Sequence, residues 1–144
     1  MGETEGPERL MDAKVLLRVV ALRKSRLVAA EFRRRPKEKG LSLFASVAKP
    51  DQAAIIEAVR AAGKQGELAA ALLPASALRA LGLVLTPTEG GTSSPEVNAI
   101  HYEARLGFFR RLWLCLRGVS IHNYFNEHFS AKLAELAQLL ETEA

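Results

Sequence analysis

The residues best suited to chemistry in this sequence are five cations clustered between positions 33 and 39. They are Arg33, Arg34, Arg35, Lys37 and Lys39, and Pro36 stands among them. Planar guanidinium groups match pairs of phosphate oxygens, and a proline restricts the backbone that carries them. The segment therefore predicts contacts to the phosphates of an anionic partner. Because it holds no Asn, Gln or aromatic side chain, it predicts no reading of base edges.

The positive charge of the chain is concentrated around this cluster. Between Lys14 and Lys39 there are ten basic and two acidic residues, whereas from Leu41 to Ala144 there are nine basic and ten acidic residues. The formal net charge of the whole chain is +4. A basic stretch on an otherwise balanced chain favours a local surface for nucleic acid or an acidic protein, although it is also typical of a solvated face.

Histidine and acidic residues offer a second indication of chemistry. His101 and Glu103 are two apart in a predicted strand, which places them on one face and suits either acid–base catalysis or a surface hydrogen bond. His122 and His128 are six apart, so a helix would separate them by about 240°. Cys115 is the one cysteine, and no spacing typical of metal ligands is present. The sequence therefore predicts no disulfide within the chain and no metal site.

The elements that must position these residues follow from hydrophobic periodicity. Apolar runs predict strands at 14–22, 27–32, 41–45, 67–73, 83–86 and 97–102, although 14–22 is also compatible with a helix. Helical spacing predicts helices at 51–62, 76–81, 104–116 and 123–140. Asp51 suits the first N-terminus and Gly63 the first C-terminus. The glycine- and hydroxyl-rich segment 87–95 predicts a loop.

The last two predicted helices carry apolar sides that we expect to be buried. In the first, Leu106, Phe109, Trp113 and Leu116 lie roughly on one side, and we expect Cys115 to be a small core residue. In the second, apolar residues recur every three or four positions, which favours core packing and permits self-association. Those residues are Phe125, Phe129, Leu133, Leu136 and Leu140.

The order of the elements favours an α+β fold over a doubly wound one, because helices flank only part of the sheet. We predict a disordered leader at 1–12 and one domain at 13–144. The domain has a small mixed or antiparallel sheet, a central helix and two C-terminal helices. No apolar run approaches the ~18 residues of a membrane span, and the polar start of the chain is not a secretory signal. The sequence thus predicts a cytoplasmic protein without a membrane partner.

Parts of the chain resemble known proteins. The basic, proline-containing stretch 32–44 leads into a Leu-Ser strand, and with 81–85 and 98–102 it is similar to small uncharacterised bacterial proteins over about residues 14–105. Arg18, Ser42 and Glu103 also resemble the first-strand Arg, the following-strand Ser and the late acidic residue of the ADP-ribosyltransferase-like superfamily. This second resemblance implies an enzyme that consumes NAD.

The sequence as a whole favours a non-catalytic binding or regulatory module without a cofactor. The module would hold an anionic partner at 33–39 and could form a homo-oligomer through its C-terminal helix. The alternative is an ADP-ribosyltransferase-like enzyme using NAD, with Arg18, Ser42 and Glu103 at its active site and His101 as acid or base. The enzyme needs these side chains in one cleft, whereas the binding module does not.

Overall fold

The computed structural model describes residues 14–34 and 39–139, and its strands form one antiparallel sheet. The strands are β1 (Val15–Leu22), β2 (Leu41–Ala45), β3 (Glu67–Pro74), β4 (Leu83–Pro87), β5 (His101–Leu106) and β6 (Gln138–Leu139). They lie side by side in the order β4-β5-β2-β1-β3-β6, and each neighbouring pair is antiparallel. β1 and β2 therefore lie in the middle of the sheet.

Helices accompany this sheet throughout the described part of the chain. A 3-10 helix spans Ala29–Phe32, and the α-helices are α1 (Gln52–Ala61), α2 (Ala75–Ala80), α3 (Pro95–Ala99), α4 (Phe108–Leu116) and α5 (Ile121–Leu136). The predicted α+β class is confirmed, with α1 as the central helix and α4 and α5 as the C-terminal pair. The predicted leader at 1–12 lies outside the described residues.

Strand register sorts the polar and apolar residues of β2 and β5 onto two faces. Leu43 lies opposite Tyr102, and Ser42 lies opposite Glu103. Residues directly opposite each other share a face, and successive residues alternate. Leu43 and Tyr102 are fully buried on one face. The predicted site residues Ser42 and Glu103, together with His101, lie on the other.

The ends of α1 form as the sequence predicts. The Asp51 carboxylate accepts a hydrogen bond from the backbone N–H of Ala54 at 3.0 Å, which satisfies one of the unpaired donors of the first turn. Gly63 follows the helix with a φ of 122°, in the left-handed region that favours glycine. The chain then turns towards Lys64, a residue of the candidate site.

The long helix α5 packs into the core. Phe125, Phe129 and Leu133 are buried, and the helix contacts the 3-10 helix that carries the buried Phe32. Leu136, at the end of α5, is more than one-third exposed. The predicted core position Leu140 lies outside the described residues. The apolar spacing therefore identified the buried side of α5 over most of its length.

The prediction of a strand at 27–32 is wrong, because tertiary hydrogen bonds hold this segment as a 3-10 helix. The Glu31 side chain accepts from the backbone N–H of Ala21, and the Glu31 carbonyl accepts from Arg18. Glu31 is therefore bonded to β1 through its side chain and its carbonyl, and not through the repeated backbone pairing of a strand. These hydrogen bonds are not visible in the local apolar pattern.

The boundaries around 97–116 also differ from the prediction. Ser94 accepts from the Val97 N–H and Pro95 begins α3, an N-terminal signature that replaces the expected start of a strand. β5 then continues to Leu106, because Ala104 and Leu106 alternate inward and are buried in the sheet. The predicted helix therefore starts at Phe108 and not at 104.

The expected burial of α4 is the largest difference from the sequence prediction. Phe109, Trp113 and Leu116 are exposed, and so is Cys115. Leu114 is the residue of α4 that is buried. The helix therefore packs through a side other than its apolar one. Within residues 14–34 and 39–139, no helix combines the length and the apolar character that crossing a bilayer requires.

Candidate functional site

Arg18 in β1 joins β2 to the 3-10 helix. Its Nη1 donates to the Ser42 carbonyl oxygen at 2.7 Å, and its Nε donates to the Glu31 carbonyl oxygen at 2.6 Å. A charged donor strengthens hydrogen bonds to neutral acceptors. The structure thus brings two of the predicted site residues, Arg18 and Ser42, into direct contact.

Glu31 is held by donors from two other elements. Its Oε1 accepts from the Ala21 N–H at 2.9 Å and lies 3.0 Å from Lys64 Nζ. Burial acts to raise the pKa of this carboxyl, but the Ala21 hydrogen bond, the Lys64 ammonium and the charge of Arg18 outweigh it. They hold the pKa of Glu31 below its ordinary value. Glu31 is therefore ionised at neutral pH and balances one nearby positive charge.

A first cavity, of about 420 Å³, opens between the sheet, the end of α1 and the loop at 91–92. We call it the His101 cavity. Polar groups from β1, β2, β5 and the adjoining loops line it alongside apolar ones. Among the described residues, the polar side chains that line it are those of Arg18, Ser42, Lys64, Thr92 and His101. Three of the residues predicted for the enzyme alternative, Arg18, Ser42 and His101, therefore line one cavity.

His101 is held between two hydroxyl groups. Ser42 Oγ lies 2.5 Å from His101 Nε2, and Thr88 Oγ1 lies 2.7 Å from His101 Nδ1. A neutral imidazole has one N–H, so it can donate to one hydroxyl and accept from the other. With the proton on Nδ1, Thr88 accepts and Ser42 donates. The Ser42–His101–Thr88 series then has the order of a nucleophile, a base and a group that orients the base.

Glu103, the predicted acidic residue, is engaged elsewhere. Arg105 binds its Oε1 through Nε at 2.9 Å and Nη2 at 2.6 Å. Glu103 lies opposite Ser42 in the sheet. Among the described residues, however, it is not one of those that line the His101 cavity. The structure therefore brings Arg18, Ser42 and His101 together and leaves Glu103 beside them, paired with Arg105.

A second cavity, of about 350 Å³, adjoins the basic segment. We call it the Arg34 cavity. It shares Arg18 and Lys64 with the His101 cavity, so these two cations stand in the walls of both. Among residues 14–34 and 39–139, those that line it are Arg18, Ala30, Glu31, Arg33, Arg34, Lys64, His122 and Asn126. Four of them are cationic and one is acidic, which makes this the more positively charged cavity.

Asn126 of α5 fixes the backbone where the basic segment begins. The Arg34 N–H donates to Asn126 Oδ1 at 2.7 Å, and Asn126 Nδ2 donates to the Arg34 carbonyl at 3.2 Å. The side-chain amide thus pairs with both backbone groups of one residue. Ser130 Oγ donates to the Asn126 carbonyl at 2.6 Å. α5 therefore holds the start of the segment in addition to its packing role.

Gly40 fixes the other end of the basic segment. A Cβ at this position would lie 2.6 Å from the Ala104 carbonyl oxygen, so only glycine allows β2 to approach β5 so closely here. Arg33 and Arg34 line the Arg34 cavity, and Lys39 is exposed. Arg35 and Lys37 lie outside the described residues. The predicted anion-binding segment is therefore anchored at both of its described ends.

Sequence reasoning missed Lys64, Thr88 and Asn126. Lys64 follows the Gly63 cap, and its partner Glu31 is far away in the chain, so no local pattern links them. Thr88 stands in the segment 87–95, which the sequence predicts as a loop, and its partner His101 lies in another element. Asn126 could have been noticed from the sequence, because asparagine is unfavourable in the interior of a helix and its side chain often hydrogen-bonds backbone groups.

Among the described residues, no three His, Cys, Asp or Glu side chains group in a way that could hold a metal ion. Comparison of the chain with protein-family models, with curated proteins and with solved structures found no match. The function must therefore be inferred from the two cavities themselves.

Proposed function

We propose that the protein is a non-catalytic module that binds a phosphate-bearing polyanion, with nucleic acid as its partner. The observation that carries this proposal is the described wall of the Arg34 cavity, where four cations, Arg18, Arg33, Arg34 and Lys64, stand with the carboxylate of Glu31. Cations gathered around a cavity concentrate anions, and guanidinium groups bind phosphate oxygens in pairs.

The anchoring of the basic segment supports the same function. Asn126 holds the backbone at Arg34, and the close approach of Gly40 to Ala104 holds the other end. A segment fixed at its ends loses less conformational entropy when it binds. Arg33 and Arg34 thus carry their charge into the Arg34 cavity from a backbone that is already fixed.

Phosphate contacts, and not base contacts, are expected to dominate. The segment 33–39 has no amide or aromatic side chain with which to read or stack bases. We therefore expect similar affinities for mixed-sequence DNA and RNA. Affinity should fall steeply with salt, because each phosphate contact releases a condensed counterion.

The experiment is a fluorescence anisotropy titration of labelled mixed-sequence oligonucleotides at two salt concentrations. The Arg33→Ala/Arg34→Ala variant should bind about tenfold or more weakly and lower the slope of log affinity against log salt by roughly 1 to 2. The matched control, Arg79→Ala/Lys132→Ala, removes the same charge from exposed positions in α2 and α5. It should bind like the wild type.

Three results would count against nucleic-acid binding. If the wild type does not bind the oligonucleotides even at low salt, the proposal is wrong. Equal losses in the double variant and the control would mean that binding follows net charge and not this cavity. Binding of a polyglutamate probe with no binding of oligonucleotides would assign the surface to an acidic protein.

A second candidate function is an enzyme that uses NAD at the His101 cavity. The specific observation in its favour is the 2.5 Å contact between Ser42 Oγ and His101 Nε2, with Thr88 at Nδ1. A base at hydrogen-bond distance activates a serine hydroxyl, and Arg18 and Lys64 in the same cavity suit the pyrophosphate of NAD. The pairing of Glu103 with Arg105 leaves the catalytic role with Ser42 and His101.

The test of this candidate is an assay in which chromatography measures the release of nicotinamide from NAD. Turnover by the wild type that falls at least about 100-fold in both Ser42→Ala and His101→Gln would support an enzyme. Glu103→Gln should keep most of the activity. If the wild type releases no nicotinamide, the NAD-consuming enzyme is excluded and the binding module stands alone.

A further inference from the structure

Helix α4 turns its apolar side towards solvent. The side chains of Phe109 and Leu116 are 81% and 79% exposed, and that of Phe108 is 62% exposed. Leu112 and Trp113 are each nearly half exposed. Scattered exposed apolar residues are ordinary, but five large ones on a single nine-residue helix form a contiguous patch of the kind that marks an interaction surface.

Helical geometry places these five side chains on one arc. At 100° per residue, positions 108, 109, 112, 113 and 116 fall within about 140° of the helix circumference. Leu114, which is buried, points to the opposite side, where α4 contacts α5. The helix is therefore amphipathic, with its narrow packed side inward and its broad apolar side outward.

Arginines flank this apolar arc. The segment 107–119 contains Arg110, Arg111 and Arg117 and no acidic residue. The Arg117 guanidinium lies 4.4 Å from the centroid of the Trp113 ring, and Arg110 Nη1 donates to Tyr124 Oη at 2.7 Å. The positive charges are thus held close to the aromatic side chains by specific contacts.

We propose that α4 is a docking surface for an anionic phospholipid bilayer. Phe108, Phe109, Trp113 and Leu116 would enter the boundary between headgroups and acyl chains while the arginines bind lipid phosphates. Charge complementarity favours this occupant over a second copy of the chain, because two copies would bring their arginine-flanked patches face to face. Trp and Phe at the water boundary, with arginines beside them, are typical of helices that lie in the interface.

This proposal is compatible with the lack of a spanning helix in the described residues. A helix that lies along the interface needs a broad apolar side and not the length of a span. The sequence prediction of no membrane partner rested on the lack of an apolar run of span length and of a secretory signal, and a helix that lies along the interface requires neither. The proposed function at the Arg34 cavity involves other residues, so the two proposals can fail separately.

The experiment combines vesicle co-sedimentation with the fluorescence of Trp113, the one tryptophan of the chain. Full-length protein is mixed with phosphatidylcholine vesicles that contain or lack about one-third phosphatidylserine. We expect sedimentation and a blue-shifted emission with the anionic vesicles alone. Phe109→Ser/Leu116→Ser should weaken sedimentation about tenfold or more, and Arg110→Gln/Arg117→Gln should do so at low salt.

The controls separate a surface effect from loss of the fold. Val47→Ser changes another exposed apolar residue and should bind vesicles like the wild type. Each variant is checked by its urea midpoint and by oligonucleotide binding. Equal binding to neutral and anionic vesicles, or no binding to either, would overturn the proposal. Sedimentation equilibrium showing dimers that Phe109→Ser/Leu116→Ser abolishes, without vesicle binding, would assign the patch to a second copy.

Discussion

The two C-terminal helices share one sequence pattern but differ in the burial of their apolar side chains. Both α4 and α5 carry apolar residues at helical spacing. In α5 these residues, Phe125, Phe129 and Leu133, are buried, whereas in α4 they face solvent. The comparison shows that amphipathic spacing predicts which residues share a side of a helix. It does not predict whether the rest of the chain covers that side.

The physical difference lies in what each helix meets. α5 has 16 residues and packs against the 3-10 helix, where Phe32 is buried and Asn126 binds the Arg34 backbone. α4 has nine residues and buries Leu114. It is joined through Gly107 to the end of β5, which lies beside the edge strand β4. Because α4 packs through Leu114, the described residues leave its apolar arc uncovered. That arc remains available to a partner.

The largest expected effect is the loss of a buried ring from α5. Phe129→Ala should lower the free energy of unfolding by about 3 to 5 kcal/mol, because it removes a buried side chain and leaves a cavity. Urea denaturation followed by circular dichroism measures the change. A midpoint equal to that of the wild type would show that α5 is not part of the core, and the comparison would fail.

The next effect concerns the polar contact that distinguishes α5. Asn126→Ala should destabilise the protein by about 1 to 3 kcal/mol, since both backbone groups of Arg34 lose their side-chain partner. Oligonucleotide affinity should fall as well, because the basic segment loses an anchor. Asn123→Ala, at an exposed position one turn earlier, is the control. A loss of stability with unchanged affinity would separate the anchor from binding.

A smaller effect should appear in acid, at the 3-10 helix beneath α5. The pKa of Glu31 is lowered in the folded state, so its contribution to stability is present above the ordinary pKa of about 4.5 and is lost as the pH falls through the lowered value. Glu31→Gln should therefore reduce the drop in urea midpoint between pH 7 and pH 3. Glu57→Gln, at an exposed site on α1, is the control. An unchanged drop in Glu31→Gln would contradict the role of these contacts.

The smallest expected effect is the matched change in α4. Phe109→Ala should alter the free energy of unfolding by no more than about 0.5 kcal/mol, because the ring is largely exposed. The same urea experiment used for Phe129→Ala gives the comparison directly. A loss above about 1 kcal/mol would mean that the ring is covered in solution and would count against a free docking surface.

The candidate site was predictable to the extent that its residues carried local signals. The cation cluster is visible as composition, and the strand that carries Ser42 was predicted within its observed bounds, whereas the observed β5 extends to Glu103 and beyond the predicted strand. Lys64 and Thr88 could not be found in this way, because their partners Glu31 and His101 lie in other elements. Side-chain hydrogen bonds between distant elements leave no periodicity in the sequence.

The sequence by itself determined the α+β class, the strands β2, β3 and β4, and the helices α1 and α5, and it left β1 open between a strand and a helix. These elements follow from alternation, helical spacing and caps such as Asp51 and Gly63, all of which act within a few residues. Tertiary structure alone decided that Arg18, Ser42 and His101 line one cavity and that Asn126 holds Arg34. It also decided that the apolar side of α4 faces outward. These outcomes depend on which surfaces meet after the strands pair, and contacts across the sheet are set by the register and packing of the whole chain.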